Sequence, residues 1–249
     1  MIKIGCCGLS VSQNRYAAVL KTVEINSTFY QLPRLETAEK WRRIMPADFQ
    51  FTVKAWQLIT HTASNPGYRR LSKPIPDSKK NNYGHFRPTP EVQEAWKKTL
   101  EIAQALRAPL ILLQTPKAFG PTPDNVANLR RFLRWAPRGP IRLAWEPRGQ
   151  WSLNLLAQLC KDHQLVHAVD PLHSKWVPTA LNYFRLHGIS PKKRHENIEI
   201  ADIVRRVLHE LFHGTADRAH IHLGYVRGKE VSDANAEVDA ERKHHQKAR

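Results

Sequence analysis

Cysteine is scarce and poorly placed for cross-linking. Cys6, Cys7 and Cys160 are an odd number with no Cys-x-x-Cys spacing, so a disulfide framework is not expected, and a reducing, cytoplasmic setting is. No stretch approaches the roughly 20 consecutive apolar residues that a membrane-spanning helix needs. The opening MIKIGCCG runs straight into a strand pattern, without the basic and apolar stretches of a secretory leader. The Gly-x-Gly-x-x-Gly turn of doubly wound nucleotide folds is missing, since Gly5-Cys6-Cys7-Gly8 does not supply it. Acidic residues are in short supply: 22 Asp plus Glu stand against 39 Lys plus Arg, for a formal net charge of +17. That imbalance fits a polyanionic partner such as RNA or DNA, or a basic surface with no such partner.

Alternating strand and helix patterns are abundant. Residues 22–61 read as strand (Thr22 to Asn26), amphipathic helix (Leu35 to Met45) and strand (Phe49 to Trp56). A short strand to Cys6 and a short helix over residues 12–20 precede them. Residues 91–107 form the clearest helix, with Val92, Ala95, Trp96, Thr99, Ala103 and Leu106 at three- and four-residue spacing. Thr89-Pro90 is its start signal. Ala108 to Pro116 reads as a buried parallel strand, apolar nearly throughout. A helix follows Thr122-Pro123, then a strand from Ile141, a helix over 152–163, and strands at 165–171 and 182–188. The pattern closes with a helix over 202–213, an eighth strand at 218–225 and a short, apolar-poor helix over 232–240. Eight strands separated by helices in 249 residues predict a single-domain (β/α)8 barrel over residues 1–240, a fold of roughly 250 residues. The segment 65–90 is then an excursion over the barrel mouth, and 241–249 a basic tail.

The motifs TVEINSTFYQLP, EKWRRIMP, FTVKAWQLITH, LLQTPKAFGPT, RLAWEPRGQW, HAVDP and YFRLHG, in that order, resemble the YecE-like family, domain of unknown function 72. The resemblance covers about residues 2–190. It implies a TIM-like barrel and brings no settled activity. Leu9 stands where the family usually has Trp, and HIHLGY, with His222 and Tyr225, replaces an aromatic-Asn-Asn exit on the last strand.

Barrel chemistry sits at strand C-termini. The polar residues there are Glu24, Asn26, Lys54, Gln114, Glu146, Arg148, Asp170, Arg185 and His187. Alternation puts Glu24 with Asn26, Glu146 with Arg148, and Arg185 with His187 on shared faces. Glu24, Glu146, Asp170 and His187 are the candidate catalytic groups. Asn26, Lys54, Trp56, Gln114, Arg148 and Arg185 are the candidate substrate-binding groups. Glu24 with Lys54 also reads as a structural ion pair, and Glu146 with Asp170 as an acid–base pair. His187 reads as a proton carrier. Glu146, Asp170 and His187, with His61 or His173, make a divalent-metal reading that no short ligand spacing supports. Cys6 and Cys7 read as small buried side chains. Trp41, Trp96 and Trp135 follow helical faces and read as packing, whereas Trp56, Trp145 and Trp151 lie where they could stack on a ring or base.

Residues 65–90 carry Arg69, Arg70, Lys73, Lys79, Lys80 and Arg87 against Asp77 alone, interleaved with Tyr68, Tyr83, His85 and Phe86. Cations beside aromatic faces make a phosphate-tracking, base-stacking surface, and equally an ordinary exposed loop. Three functions are therefore expected to compete. The first is an enzyme, by preference a hydrolase, acting on a phosphate-bearing substrate that could be nucleic acid. The second is a non-catalytic nucleic-acid-binding barrel. The third is a carbohydrate-active enzyme using Glu24 and Glu146 as a carboxylate pair.

Overall fold

Short, largely apolar stretches form eight strands: β1 (Ile2–Cys7), β2 (Thr22–Ile25), β3 (Gln50–Lys54), β4 (Leu110–Gln114), β5 (Arg142–Glu146), β6 (Val166–Val169), β7 (Asn182–Leu186) and β8 (Ala219–Leu223). The computed structural model describes residues 2–9, 11–171, 173–186 and 219–223, with side chains for all of these except residues 2 and 219–223. Each strand is parallel to the next, and β8 pairs with β1, so the curled sheet returns on itself. Parallel neighbours require crossovers. Five of these carry helices: α1 (Gln13–Val19), α2 (Leu35–Ile44), α3 (Gln57–Thr60) with α4 (Pro90–Ala105), α5 (Pro123–Trp135) and α6 (Leu153–His163). Among the described residues no helix joins β6 to β7. The expected helices over 202–213 and 232–240, the basic tail, His187 and Tyr225 lie outside the described residues, as does the side chain of His222.

Local chemistry sets the helix ends. Thr89, Thr122 and Ser152 each accept a backbone N–H with the side-chain oxygen at the start of α4, α5 and α6, satisfying donors that a helix leaves orphaned. At the end of α2, Arg42 donates to the carbonyls of Met45 (3.1 Å) and Phe49 (2.6 Å), where the helix dipole favours a cation. On α4 the expected stripe Val92, Ala95, Trp96, Thr99, Ala103 and Leu106 is buried. Trp135, at the end of α5, departs from its expected packing role and is 37% exposed.

Alternation along the strands divides the core in two. Residues such as Val23, Phe51, Val53, Ile111, Leu113, Trp145 and Phe184 point outward into the helix layer. Leu110, Leu112, Ala144, Val166, Ala168, Leu181 and Tyr183 fill the barrel interior. Above them, toward the C-terminal strand ends, the same inward rows turn polar. Lower down, where β2 begins, Gly5 lets β1 approach it: a Cβ would stand 2.2 Å from the Thr22 carbonyl oxygen. Beside it the Tyr16 hydroxyl receives the Cys6 N–H (2.7 Å) and donates to the Thr22 carbonyl (2.9 Å), stitching α1 to both strands.

The basic segment forms two short 3-10 turns, Pro66–Arg70 and Asp77–Asn82. Its contacts are lateral. Ser72 N–H donates to Gln31 Oε1, the Arg70 guanidinium lies 3.8 Å from the Tyr30 ring centroid, and Asn82 donates to Glu91. The segment therefore banks between the β2–α2 turn and the start of α4. Its return end is pinned to α3, because Gly84, His85 and Phe86 donate N–H groups to Leu58, Thr60 and Ile59. All three take left-handed backbone angles (φ 77°, 52° and 53°), a conformation that costs free energy at the two non-glycine positions.

Tyr16→Phe removes a hydroxyl that satisfies two buried backbone groups. It is expected to cost about 1–3 kcal/mol in denaturant unfolding with an unchanged m-value. A loss below about 0.5 kcal/mol would show that water replaces the hydroxyl.

Candidate functional site

Strand register gathers the inward polar groups at one end. Cys7 stands beside Glu24, Glu24 beside Thr52, and Gln114 beside Glu146. Arg185, from β7, reaches across and ties the set together. Its Nε and Nη2 donate to the two carboxylate oxygens of Glu24 (2.9 Å each), and its Nη1 donates to Glu146 Oε2 (2.6 Å). Glu146 also accepts from Gln114 Nε2 on Oε2 (2.9 Å) and from Arg148 Nε on Oε1 (2.8 Å). Glu24 accepts from the Tyr183 hydroxyl (2.9 Å), which itself lies 2.9 Å from Thr52 Oγ1. Glu24, Glu146, Tyr183 and Arg185 are all buried.

Burial opposes the Arg185 charge, but Glu146 and Glu24 outweigh it and raise its pKa well above the usual value. Burial, reinforced by Glu24, pushes the Tyr183 phenol well up. Burial and Glu24 likewise push the Cys7 thiol up to about 12, so this cysteine stays protonated and unreactive at neutral pH.

Lys54 has a different fate from Arg185. It is only 7% exposed, and among the described residues no carboxylate oxygen lies within 4 Å of its Nζ. The ammonium instead sits 4.3 Å from the Phe29 ring centroid. Burial first, then the Arg185 charge, lowers its pKa to about 8, with Glu24 and Glu146 pulling the other way. The neighbouring His61 is buried, with Nδ1 2.8 Å from Thr60 Oγ1 and its ring edge-on to Phe29. Burial, then the charges of Lys54, His85 and Arg148, lowers its pKa to about 3. His61 is a neutral imidazole at physiological pH.

Of the expected catalytic groups, Glu24 and Glu146 meet at Arg185. Asp170 lies just past β6 and faces His173, whose Nε2 is 4.0 Å away. The expected Glu24–Lys54 ion pair does not form, because Arg185 takes both Glu24 oxygens. In the expected acid–base pair with Asp170, Glu146 is the ionised member, since both its oxygens receive N–H donors. The Arg185 guanidinium occupies the place between Glu24 and Glu146 that a bridging cation would take. Among the described residues no three His, Cys, Asp or Glu side chains come together as metal ligands.

Of the expected substrate-binding groups, Lys54, Gln114, Arg148 and Arg185 belong to this cluster. Asn26 stands at its edge, with a buried Oδ1 that has no hydrogen-bond partner among the described residues. Trp56 departs from expectation: its indole donates to the Tyr30 carbonyl (3.3 Å) and lines a separate groove with Leu71, Tyr83 and α4. Trp145 is buried against Trp151, and the Trp151 indole donates to the Phe119 carbonyl, so neither stands free to stack on a ligand.

On the basic segment, Arg69, Arg70, Lys73, Lys79 and Lys80 are exposed, and Arg87 and Tyr83 are half-buried. Lys79 pairs with Glu91 and Lys80 with Asp77, while Arg87 donates to the Tyr83 carbonyl. Phe86 cannot stack on a base. It is 1% exposed and packs on Phe119 and Phe132.

Tyr183 and Thr52 belong to the cluster without having been singled out, and His61, expected only in the metal reading, stands beside Lys54. Period-two alternation places Tyr183 on the face of Arg185, and Thr52 on that of Lys54. His61 follows a turn whose direction no periodicity carries.

A family model described as "Protein of unknown function DUF72" matches residues 12–242. UPF0759 protein YunF of Bacillus subtilis (strain 168) is 30% identical over 138 residues, which are 54% of this chain and 42% of that protein. The match thus spans less than half of that relative's length. A solved DUF72 family protein from Enterococcus faecalis V583 superposes with a TM-score of 0.67 at 19% identity, covering 96% of this chain and 98% of that one. Two enzyme-named or enzyme-like structures share the architecture more distantly. They are a D-tagatose 3-epimerase-like protein (TM-score 0.60, 13% identity, 99% and 100% covered) and endonuclease IV from Thermus thermophilus (0.53, 15%, 96% and 99%). At such identities the structural likeness establishes the fold alone.

Arg185→Met strands two buried carboxylates and is expected to destabilise by about 3–5 kcal/mol. Adding Glu24→Gln should recover part of that loss in the double variant. Additive losses in urea unfolding would mean that the two side chains are not coupled.

Proposed function

The chain belongs to the DUF72 family of proteins of unknown function, and on that premise we propose that it is an enzyme acting on a small phosphate-bearing substrate. The barrel is taken as one (β/α)8 domain over residues 1–240 followed by a basic tail, with the chemistry at the C-terminal strand ends. The observation that carries this reading is the charge balance there. Two carboxylates, Glu24 and Glu146, stand against three cations: Arg185 engages both and Arg148 pairs with Glu146, so among the described residues one positive charge of the cluster, that of Lys54, is left without a carboxylate. A substrate anion supplies the missing negative charge. Arg148, with 39% of its side chain exposed, is the permanent cation at the rim, and a guanidinium matches phosphate geometry. Lys54 lies deeper and both holds and releases a proton near neutral pH, which is what acid–base chemistry requires. The carboxylate-pair glycosidase fits least well: it needs one protonated carboxyl, and both glutamates accept hydrogen bonds on each oxygen. No metal is invoked, because a guanidinium already bridges the two carboxylates. A cytoplasmic location belongs to the same proposal and rests on three free thiols.

Calorimetric titration with D-ribose 5-phosphate and with D-ribose tests this reading. The phosphorylated sugar should bind at least tenfold more tightly, and Arg148→Ala should remove most of that difference. Equal affinities for the two sugars would sink the proposal.

Nucleic acid is the second reading, favoured by the exposed Arg69, Arg70 and Lys73 on the ordered basic segment. With Phe86 buried, Tyr83 half-buried and two lysines locally paired, the surface offers phosphate contacts more than base stacking. Each phosphate neutralised adds roughly −0.7 (single strand) to −0.9 (duplex) to the slope of log affinity against log salt. Arg69→Ala with Lys73→Ala should flatten that slope by about one to two units. Unchanged slopes, or no binding at low salt, would leave the segment as a solvated flank.

A further inference from the structure

Among the described residues Lys54 is the buried lysine, and balancing charge does not account for its setting. A lysine at that depth ordinarily ends on a carboxylate. Here the two carboxylates of the cluster turn to Arg185, and Nζ is left against the Phe29 ring. The groups that act on it come from four strands: Cys7 on β1, Glu24 on β2, Glu146 on β5 and Arg185 on β7. His61, beyond α3, is neutral and adds no counter-charge. An apolar contact and a neighbouring cation are the two devices that turn a lysine into a nucleophile near neutral pH. Burial and Arg185 supply both, and the proton is correspondingly loosened. Asn26, one residue past β2, has a buried Oδ1 that is without a hydrogen-bond partner among the described residues.

We propose that Lys54 is the covalent centre of the site, its Nζ adding to the carbonyl carbon of a phosphate-bearing aldose or ketose to form an imine. This rests on the phosphate reading above and narrows it to carbonyl substrates. The amine lone pair forms the C–N bond while the carbonyl π pair moves to oxygen, which takes up a proton. The carbinolamine then loses that oxygen as water, leaving C=N. Once protonated, the imine draws electrons from a bond on the adjacent carbon. A proton released there passes to the water that imine formation has set free, since both glutamates are held ionised by Arg185. Electrons balance without an oxidant, a reductant or a metal.

Reductive trapping tests the imine. The full chain is incubated with glycolaldehyde phosphate or D-ribose 5-phosphate and sodium cyanoborohydride, and the labelled peptides are mapped by mass spectrometry. Lys54 should gain the mass of the substrate, less one water and plus two hydrogens, at least tenfold faster than exposed lysines such as Lys98. Its rate should level off above pH about 8, where the amine is already neutral, while surface lysines keep accelerating toward higher pH. Lys54→Arg, which keeps the charge but not the nucleophile, should still bind the sugar phosphate and show no fast label. Arg148-dependent binding of the phosphates with no preferential label on Lys54 would overturn the imine and leave the phosphate reading standing. Equal labelling by glycolaldehyde and glycolaldehyde phosphate would overturn the substrate class.

Discussion

One guanidinium decides the chemistry of this barrel. Arg185 on β7 holds Glu24 on β2 with two nitrogens and Glu146 on β5 with the third. Three side chains from separate parts of the sheet are thereby fixed relative to one another. Taking these charges out of water is expensive, and only close, multiply hydrogen-bonded pairing offsets that cost. Gln114, Arg148, Tyr183 and Thr52 complete the pairing. Because Arg185 consumes both carboxylates, Lys54 is left without one. The unusual group in the site is thus a by-product of the ordinary one.

The barrel interior has two tiers, and both follow from the two-residue period of its strands. On β4, Leu110 and Leu112 lie below Gln114, and on β5 Ala144 lies below Glu146. These rows, and that of β7 through Leu181, Tyr183 and Arg185, run from apolar to polar as they climb toward the strand ends. The low-dielectric tier strengthens every electrostatic interaction above it. It also raises the cost of any unpaired charge, which is why the acidity of Lys54 departs so far from that of a surface lysine.

Much of this arrangement was legible in the sequence. Strand alternation and the C-terminal rule for barrels placed Glu24, Lys54, Gln114, Glu146 and Arg185 at one end, and the α4 stripe and its Thr89 cap follow from spacing alone. What alternation cannot supply is partnership across strands. It gave Glu24 to Lys54 because those strands are neighbours, whereas the long reach of arginine gave Glu24 to Arg185. Loop residues were harder still. Phe86 looks like an exposed aromatic among cations, but a left-handed turn folds it into the Phe119 and Phe132 cluster. Trp56 continues the inward row of Thr52 and Lys54 by count, yet it lies beyond the last strand residue, where the period no longer holds. Asp170 likewise lies one residue beyond β6, where it faces His173.

The packed lower tier also governs traffic. Among the described residues Leu110, Leu112, Ala144, Val166, Ala168, Leu181 and Tyr183 fill the barrel beneath the cluster, which leaves the approach from above. Whatever enters such a cup from above leaves by the way it came, so the mouth is both entrance and exit.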